Sequence, residues 1–366
     1  MTRAEPSSGE IASRILAGDE RALARLLSAL EDGDAWGVES LKSLRAPTAE
    51  TPSRPQASSH VIGVTGPPGS GKSTLVDKLI SAYRGRGERV GVLAVDPSSP
   101  FSGGALLGDR IRMQGSPREG RAADPGLFIR SLASRGRLGG LSRASAAMAR
   151  ALEAAGYGLI LVETVGIGQS EVDIARLADT VVLVAMPSAG DDIQTIKAGV
   201  MEIGDIFVVN KADREGADRA VRELRSALGL SRSALELRAS AVPRSAPEDR
   251  PLYAAHPAPA PRSPDDDLAP VLKTTASTGE GVSELVTAID ARRERLIASG
   301  EFDARRRRGA MAEARFLLSS LVLEELESLE GGLEEELAGR MVRGEVEAAE
   351  AAALLFDSIR KGGKRA

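Results

Sequence analysis

The sequence predicts an α/β fold built on a mostly parallel β-sheet, flanked by N-terminal helices and a C-terminal helical arm. From His60 onward, short β-rich runs such as VIGVT and TVVLVA alternate with helical segments. That alternation is typical of parallel strands joined by crossover helices. Before and after this region, leucines recur at helical spacing, which predicts amphipathic helices at both ends of the chain.

The composition excludes several classes of protein. The net charge is −4 and aromatic residues make up 3% of the 366 residues, so a nucleic-acid-binding surface, with its basic field and stacking platforms, is not expected. The chain has no Cys and its two His are His60 and His256, which excludes disulfides and Cys/His zinc sites. It also lacks a run of about 18 apolar residues or an apolar signal core. We therefore expect a cytoplasmic protein without a membrane anchor.

Changes in composition predict the domain boundaries. Residues 1–45 are expected to form a helical segment with two short helices, and the Pro- and Ser-rich residues 46–59 a linker. Residues 60–298 are expected to form the α/β domain, with the Pro-rich stretch 241–270 as an exposed insertion. Residues 299–366 are expected to form the helical arm. Its apolar stripe packs either on its own domain or across a two-fold axis, and it comprises Phe316, Leu317, Leu321 and Leu326.

The elements of the α/β domain follow in a regular order. The predicted strands are VIGVT, RVGVLAV, LFIRSL, LILVE, TVVLVA, DIFVVN and VLKTTA. Helices are predicted from Lys72 and over the segments SRASAAMARALEAA and RAVRELRSAL.

A phosphate-binding loop is predicted between the first strand and the first helix of this domain. The stretch GPPGSGKST fits the pattern G-x-x-x-x-G-K-[ST], whose glycines let successive backbone N–H groups point at phosphate oxygens. Lys72 is expected to bind the β and γ phosphates, Ser73 to ligate Mg²⁺ and Thr74 to reach the α phosphate. The predicted nucleotide-binding residues of the loop are Gly66, Pro67, Pro68, Gly69, Ser70, Gly71, Lys72, Ser73 and Thr74.

Two further segments select the base. NKAD, directly after a predicted strand, places a carboxylate where it can accept hydrogen bonds from guanine N1–H and the 2-amino group, which adenine cannot supply. TTAST then closes the last strand and can offer a backbone N–H to guanine O6. The predicted base-binding residues are Asn210, Lys211, Asp213, Thr275, Ala276 and Ser277. The ligand is therefore predicted to be GTP or GDP, and the domain a P-loop GTPase domain.

Three carboxylates are candidates for the Mg²⁺ and γ-phosphate site. Asp96 and Glu163 follow predicted strands whose carboxyl ends meet at one edge of the sheet. Asp109 lies in a glycine-rich stretch and could instead cap a helix or occupy a solvated turn. In ETVGIGQSE, Ile167 follows Gly166, so no side chain there can orient the attacking water. Gln169 could do so after a rearrangement.

The blocks VTGPPGSGKST, VDPSSPFSGGALLGDRIRM, ETVGIGQSE, SAGDDIQTIKAG and NKAD closely resemble the G-protein chaperones of adenosylcobalamin-dependent acyl-CoA mutases. The chaperones of methylmalonyl-CoA mutase, also labelled arginine/ornithine transport kinases, are nearest. The resemblance implies a homodimeric, Mg²⁺-dependent GTPase that is slow alone, is stimulated by its mutase and gates cofactor loading and repair. It also implies that Lys197 approaches the nucleotide. The resulting candidate catalytic residues are Lys72, Asp109, Glu163, Gln169 and Lys197.

Three alternatives remain open at this point. A small-molecule kinase shares the phosphate loop but has no need of NKAD. An assembly GTPase for another client metalloenzyme fits the same motifs, although nickel delivery would call for Cys and His ligands. A scaffold that binds GTP only to stay folded differs from both in lacking turnover.

Overall fold

The structure is a computed structural model. It describes residues 7–46, 59–97, 124–134, 144–164, 170–187, 201–241, 269–327 and 332–362. The chain divides into two compact units, Met1–Gly309 and Ala310–Ala366. Among the described residues, no helix is both long and apolar enough to cross a bilayer.

The first unit begins with three helices and continues as an alternating α/β domain. The strands are β1 (His60–Thr65), β2 (Val90–Pro97), β3 (Leu127–Ser134), β4 (Leu159–Thr164), β5 (Thr180–Ala185), β6 (Ile206–Val209) and β7 (Val271–Lys273). The helices of the described residues are α1 (Ser8–Leu16), α2 (Glu20–Asp32), α3 (Ala35–Arg45), α4 (Lys72–Gly85), α5 (Ser145–Ala154), α6 (Ser170–Leu177), α7 (Ala217–Ala241), α8 (Val282–Ala298), α9 (Glu301–Glu327), α10 (Leu333–Val342) and α11 (Ala348–Gly362).

The seven strands form one sheet in the order β3-β2-β4-β1-β5-β6-β7. Every pairing between these strands is parallel. All strands therefore end at the same edge, which we call the carboxyl edge, and begin at the opposite amino edge. The predicted parallel α/β fold is confirmed.

Helices bury both faces of the sheet, which explains why the strands read as continuous apolar runs. On one face, Ile62 and Val64 of β1 share a core with Leu79 of α4 and Ile289 of α8. On the other face, a second core joins the sheet to apolar residues of five helices. These residues are Ile11, Leu26, Leu152, Ile174 and Leu224.

Several elements differ from the sequence-based expectation. The N-terminal segment contains three helices rather than two, and α6 and α8 were not predicted. Helix α7 was predicted over RAVRELRSAL but continues through Gly229 to Ala241, because one glycine costs a helix only about 1 kcal/mol. Strand β7 ends at Lys273, earlier than predicted. The expected linker and Pro-rich insertion lie almost entirely outside the described residues.

The second unit is helical, as predicted, and includes a helix that starts at Leu333. Among its described residues, the buried apolar ones are Ala312, Leu337, Val346 and Ala351. The later part of α9 leaves large apolar side chains in solvent, with Leu318 60% and Leu321 58% exposed.

The amino edge of the sheet is bounded by two buried aspartates. Asp179 precedes β5, and its carboxylate accepts a hydrogen bond from the Val61 N–H of β1 (2.9 Å). Asp205 precedes β6 and accepts one from the Val181 N–H of β5 (3.0 Å). In each case the aspartate N–H also donates to the carbonyl of the same partner residue. Each aspartate thus fixes the start of the neighbouring strand.

Arginines at the start of α9 neutralise these carboxylates. Arg306 donates two hydrogen bonds to Asp179 (3.0 and 2.9 Å), and Arg305 donates two to Asp205 (2.9 and 2.8 Å). Arg292 of α8 adds a third donor to Asp205. Burial alone would raise the pKa of Asp205, but these arginines and the Val181 N–H outweigh burial and lower it.

His60 lies at the same edge, with its Nε2 atom 2.9 Å from Thr180 Oγ1. Burial lowers its pKa to about 3, and the charges of Arg293 and Arg306 act in the same direction against the opposing charge of Asp205. The imidazole is therefore neutral at physiological pH.

Candidate nucleotide-binding site

The phosphate loop joins β1 to α4 at the carboxyl edge, and its glycines adopt positive φ angles. Gly66, Gly69 and Gly71 have φ values of 144°, 76° and 88°. A Cβ atom at Gly66 would lie 2.1 Å from Val184 O, and one at Gly71 would lie 2.4 Å from Asn210 Nδ2. Glycine at these two positions therefore permits both the loop conformation and its close approach to β5 and β6.

Lys72 is buried, and its ammonium group is held by the loop that precedes it. Its Nζ donates to Gly66 O (2.8 Å) and Pro67 O (3.0 Å). It is also the first residue of α4, whose N-cap, Gly71, provides no side-chain hydrogen bond to the first turn. The first N–H groups of a helix and the dipole favour an anion. A cation and a helix N-terminus thus converge on this loop, with Pro68, Gly69 and Thr74 on its exposed surface.

Two predicted metal ligands lie side by side. Ser73 Oγ, on α4, donates a hydrogen bond of 2.6 Å to Oε1 of Glu163, on β4. Glu163 is 1% exposed. Asp96 lies on the neighbouring strand β2, two positions beyond Ala94, which pairs with Glu163. The backbone thus brings the strands of both predicted carboxylates to the same edge.

Asn210 connects the phosphate loop to the predicted base-binding loop. Its Nδ2 donates to Ser70 O (2.7 Å). Its Oδ1 accepts from Thr274 Oγ1 and from the Ala276 N–H, each at 3.0 Å. The amide is 1% exposed, so one buried side chain fixes the relative position of two loops that are distant in sequence.

Lys211 and Asp213 complete the NKAD segment. Lys211 has a φ of 56°, uncommon for a residue with a side chain, and its Nζ donates to Gly69 O at 2.6 Å. Asp213 is exposed. Lys211 therefore braces the phosphate loop from outside, and the Asp213 carboxylate is accessible to a ligand.

The segment that follows β7 forms a tight turn. The Thr275 N–H donates to Glu280 O (2.9 Å), and Thr275 O accepts from the N–H groups of Thr278 and Gly279. Ala276 is buried and Ser277 is exposed. The Ala276 N–H was predicted to bind guanine O6. In this structure it donates to Asn210, so binding O6 requires that hydrogen bond to be shared or exchanged.

Asp109, Gln169 and Lys197 lie outside the described residues, and so does the side chain of Asp96. Their roles at the metal, the water and the γ phosphate stay predictions.

Two contributions were missed in the sequence. Thr274 donates to Asn210, and its position between β7 and the predicted base-binding residues was the available signal. Thr164 donates to Thr65 across the ends of β4 and β1 (3.0 Å). Nothing in the local pattern distinguishes these two threonines, because their contact depends on strand order.

Comparisons with known proteins identify the family of this chain. The model of a family described as "Methylmalonyl Co-A mutase-associated GTPase MeaB" matches residues 23–330. A Pyrococcus horikoshii protein with a provisional GTPase name is 44% identical over 319 residues, 87% of this chain and 88% of its own. The mouse mitochondrial methylmalonic aciduria type A homolog is 36% identical over 248 residues, 67% of this chain and 52% of its own.

A solved structure supports the fold. The crystal structure of an LAO/AO transport system kinase has a TM-score of 0.63 to this chain at 23% sequence identity, and covers 98% of this chain and 100% of its own. The family model spans most of the chain, which also has a seven-stranded parallel sheet and a phosphate loop. This chain therefore belongs to the methylmalonyl-CoA mutase-associated GTPase family.

Proposed function

We propose that the site binds GTP and hydrolyses it to GDP and phosphate. The observation that carries the proposal is the buried Asn210 side chain, which joins the phosphate loop at Ser70 to the base-binding loop at Thr274 and Ala276. A ligand that fills both loops has its phosphates and its base at a fixed separation. That arrangement suits a nucleoside triphosphate.

Guanine is the base that these loops fit best. The exposed Asp213 carboxylate can accept hydrogen bonds from N1–H and the 2-amino group, and an adenine base would leave it without them. Lys211 would cover the base while its ammonium group holds Gly69. Thr275, Ala276 and Ser277 would lie at the O6 edge.

The residues present fit a bound Mg²⁺ ion. Mg²⁺ prefers hard oxygen ligands and usually keeps several waters, so a hydroxyl and one or two carboxylates are sufficient beside the phosphates. Ser73 and Glu163 supply such oxygens 2.6 Å apart, and we assign Asp96 and Asp109 to the same site. Among the described residues, no group of three or more His, Cys, Asp or Glu could hold a metal. When bound, the ion neutralises charge on the phosphates.

The contribution of the protein to hydrolysis is mainly to position the phosphates and to stabilise their charge. The N–H groups of the phosphate loop and of the first turn of α4 would bind the β and γ phosphates, and Lys72 would offset the charge that develops in phosphoryl transfer. In ETVGIGQSE, Ile167 follows Gly166, and an isoleucine side chain cannot orient the attacking water. We therefore assign that step to Gln169 or Lys197, completed when a partner reorders their segments.

The partner that we propose is an adenosylcobalamin-dependent acyl-CoA mutase, with methylmalonyl-CoA mutase favoured. The family name and the mouse relative support this client. In this view the GTPase gates cofactor loading and repair. The exposed leucines Leu318 and Leu321 of α9 support a homodimer formed through the arm.

Phosphate release tests the proposal. We expect slow release from GTP with Mg²⁺, little from ATP, and a strong increase with purified methylmalonyl-CoA mutase. If the mutase does not change the rate of phosphate release, the client is another metalloenzyme. If no phosphate is released from GTP, the proposed hydrolase activity is wrong.

Lys197→Ala tests partner stimulation separately. We expect basal turnover to be nearly unchanged and most of the stimulated rate, worth about 10³–10⁵-fold for a cation at the transition state, to be lost. Lys42→Ala, at a lysine whose side chain is 70% exposed on α3, is the control and should keep full stimulation. If the Lys197 variant also keeps it, this lysine has no catalytic role.

A further inference from the structure

Two buried threonine hydroxyls connect the strands that lead into the phosphate loop and out of the metal site. Thr65 is the last residue of β1 and directly precedes Gly66. Thr164 is the last residue of β4 and directly follows Glu163. Thr164 Oγ1 donates to Thr65 Oγ1 at 3.0 Å, and both residues are 0% exposed.

This hydrogen bond lies on the opposite face of the sheet from the metal site. Successive side chains of a strand point to opposite faces. Glu163 points toward α4, where it binds Ser73, so Thr164 points toward the face covered by α6. Gly63 of β1 identifies that face, because a Cβ atom there would meet Ile174 of α6 at 2.6 Å.

The end of β4 is therefore fixed from both sides. The ladder between β1 and β4 extends to the pair Val64 and Glu163, and the threonine bond adds a side-chain connection immediately beyond it. On its other side Thr164 pairs with Val95 of β2. Without the threonine bond, Thr164 would be connected to β1 only through the backbone ladder before it. A small displacement of the strand end would move the Glu163 carboxylate relative to Ser73.

We propose that Thr65 and Thr164 are positioning residues for Mg²⁺ binding, because their hydrogen bond holds the Glu163 carboxylate in register with Ser73 and the phosphate loop. The proposal rests on the proposed function as a Mg²⁺-dependent GTPase. It assigns these threonines no contact with the nucleotide or the ion. Their effect is on the metal requirement of the reaction and not on guanine recognition.

The test is a Mg²⁺ titration of GTP hydrolysis by the full-length Thr164→Val variant, which keeps the shape of the side chain and removes the donor. We expect the Mg²⁺ concentration for half-maximal rate to rise about three- to tenfold, the effect of losing one buried hydrogen bond. GDP affinity in EDTA should stay within about twofold. Thr164→Ser, which restores the hydroxyl, should return most of the Mg²⁺ requirement to the wild-type value.

Thr65→Val provides a second variant in case Thr164→Val fails to fold. Because both changes remove the same bond, the double variant should be little worse than either single one. Thr180→Val is the matched control, since Thr180 is also 0% exposed on a neighbouring strand but its hydroxyl binds His60 at the amino edge. It should leave the Mg²⁺ requirement unchanged.

The possible failures are distinguishable. Wild-type Mg²⁺ dependence in both valine variants would overturn the positioning role even if wild-type hydrolysis is robust. A loss of GDP affinity in EDTA equal to the loss with Mg²⁺ would also overturn it, because that result indicates a general structural effect. If the wild-type protein neither binds GDP nor hydrolyses GTP, the proposed function itself fails.

Discussion

Polar residues have different roles at the carboxyl edge and at the amino edge of the sheet. At the carboxyl edge, Lys72, Lys211 and Asn210 donate to carbonyl groups of the phosphate loop, in contacts that a phosphate or a base can join. At the amino edge, Asp179 and Asp205 are buried and paired with arginines in several hydrogen bonds each. A binding site needs groups that exchange partners, whereas a fixed support needs charges that are fully paired. The comparison predicts that substitutions at the two edges separate binding from stability.

The largest expected effect is at the amino edge. Asp205→Asn leaves the buried Arg292 and the half-buried Arg305 beside a neutral group, so we expect the free energy of unfolding to fall by about 3–5 kcal/mol. Urea denaturation measures this. Asp218→Asn is the control, because Asp218 pairs with Lys273 in solvent, and it should leave the free energy of unfolding nearly unchanged. If Asp205→Asn is as stable as the wild-type protein, the aspartate–arginine pairs at the amino edge do not stabilise the fold.

The next effect is at the carboxyl edge. Asp213→Asn removes a charged acceptor for the guanine N1–H and 2-amino groups, so we expect GDP affinity to drop roughly 10–100-fold, about 1.5–3 kcal/mol. Because Asp213 is exposed, the stability of the nucleotide-free protein should not change. Calorimetric titration with GDP and ADP gives both affinities. If the variant prefers GDP over ADP as strongly as the wild-type protein does, Asp213 does not bind the guanine base.

The third effect is a pH dependence at the amino edge. The pKa of His60 is about 3 in the folded protein against 6.5 for the free side chain, so the unfolded chain binds a proton first as the pH falls. The neutral, buried His60 therefore lowers stability only in acid. Its contribution to the free energy of unfolding is fully retained above pH 6.5 and is progressively lost as the pH falls from 6.5 toward about 3. Between about pH 7 and about pH 5 we expect His60 to cost about 2 kcal/mol of stability.

His60→Gln tests this directly, because glutamine keeps a polar group near Thr180 and does not titrate. The free energy of unfolding, measured by urea at each pH, should fall less steeply with acid in the variant. Identical slopes in the two proteins would mean that His60 is not buried as a neutral ring.

The smallest effect is inside the phosphate loop. Ser70 Oγ is buried without a hydrogen-bond partner among the described residues, and such a group destabilises the folded state. Ser70→Ala should therefore raise the free energy of unfolding by about 1 kcal/mol, with GDP affinity retained because the Ser70 carbonyl still accepts from Asn210. Ser73→Ala, which removes the bond to Glu163, should give no such gain. A less stable Ser70 variant would indicate a partner for the hydroxyl.

Local signals in the sequence predicted much of the sheet and its loops. GPPGSGKST between a strand and a helix requires glycines at specific places, and Gly66 and Gly71 do lie against other backbone and side-chain atoms. Helices α6 and α8 were missed because their apolar positions were not distinguished from the loops around them. The predicted range of helix α7 was too short, because Gly229 interrupts a helix less than the local sequence pattern indicates.

The sequence by itself determined the parallel α/β class, the family and the candidate nucleotide residues, because periodicity and motif spacing are local properties of the chain. Tertiary structure decided that Asn210 joins two loops, that Thr164 contacts Thr65, and that arginines of α9 neutralise the aspartates before β5 and β6. These contacts join residues far apart in sequence. They follow from the order of the strands in the sheet, which no local pattern encodes.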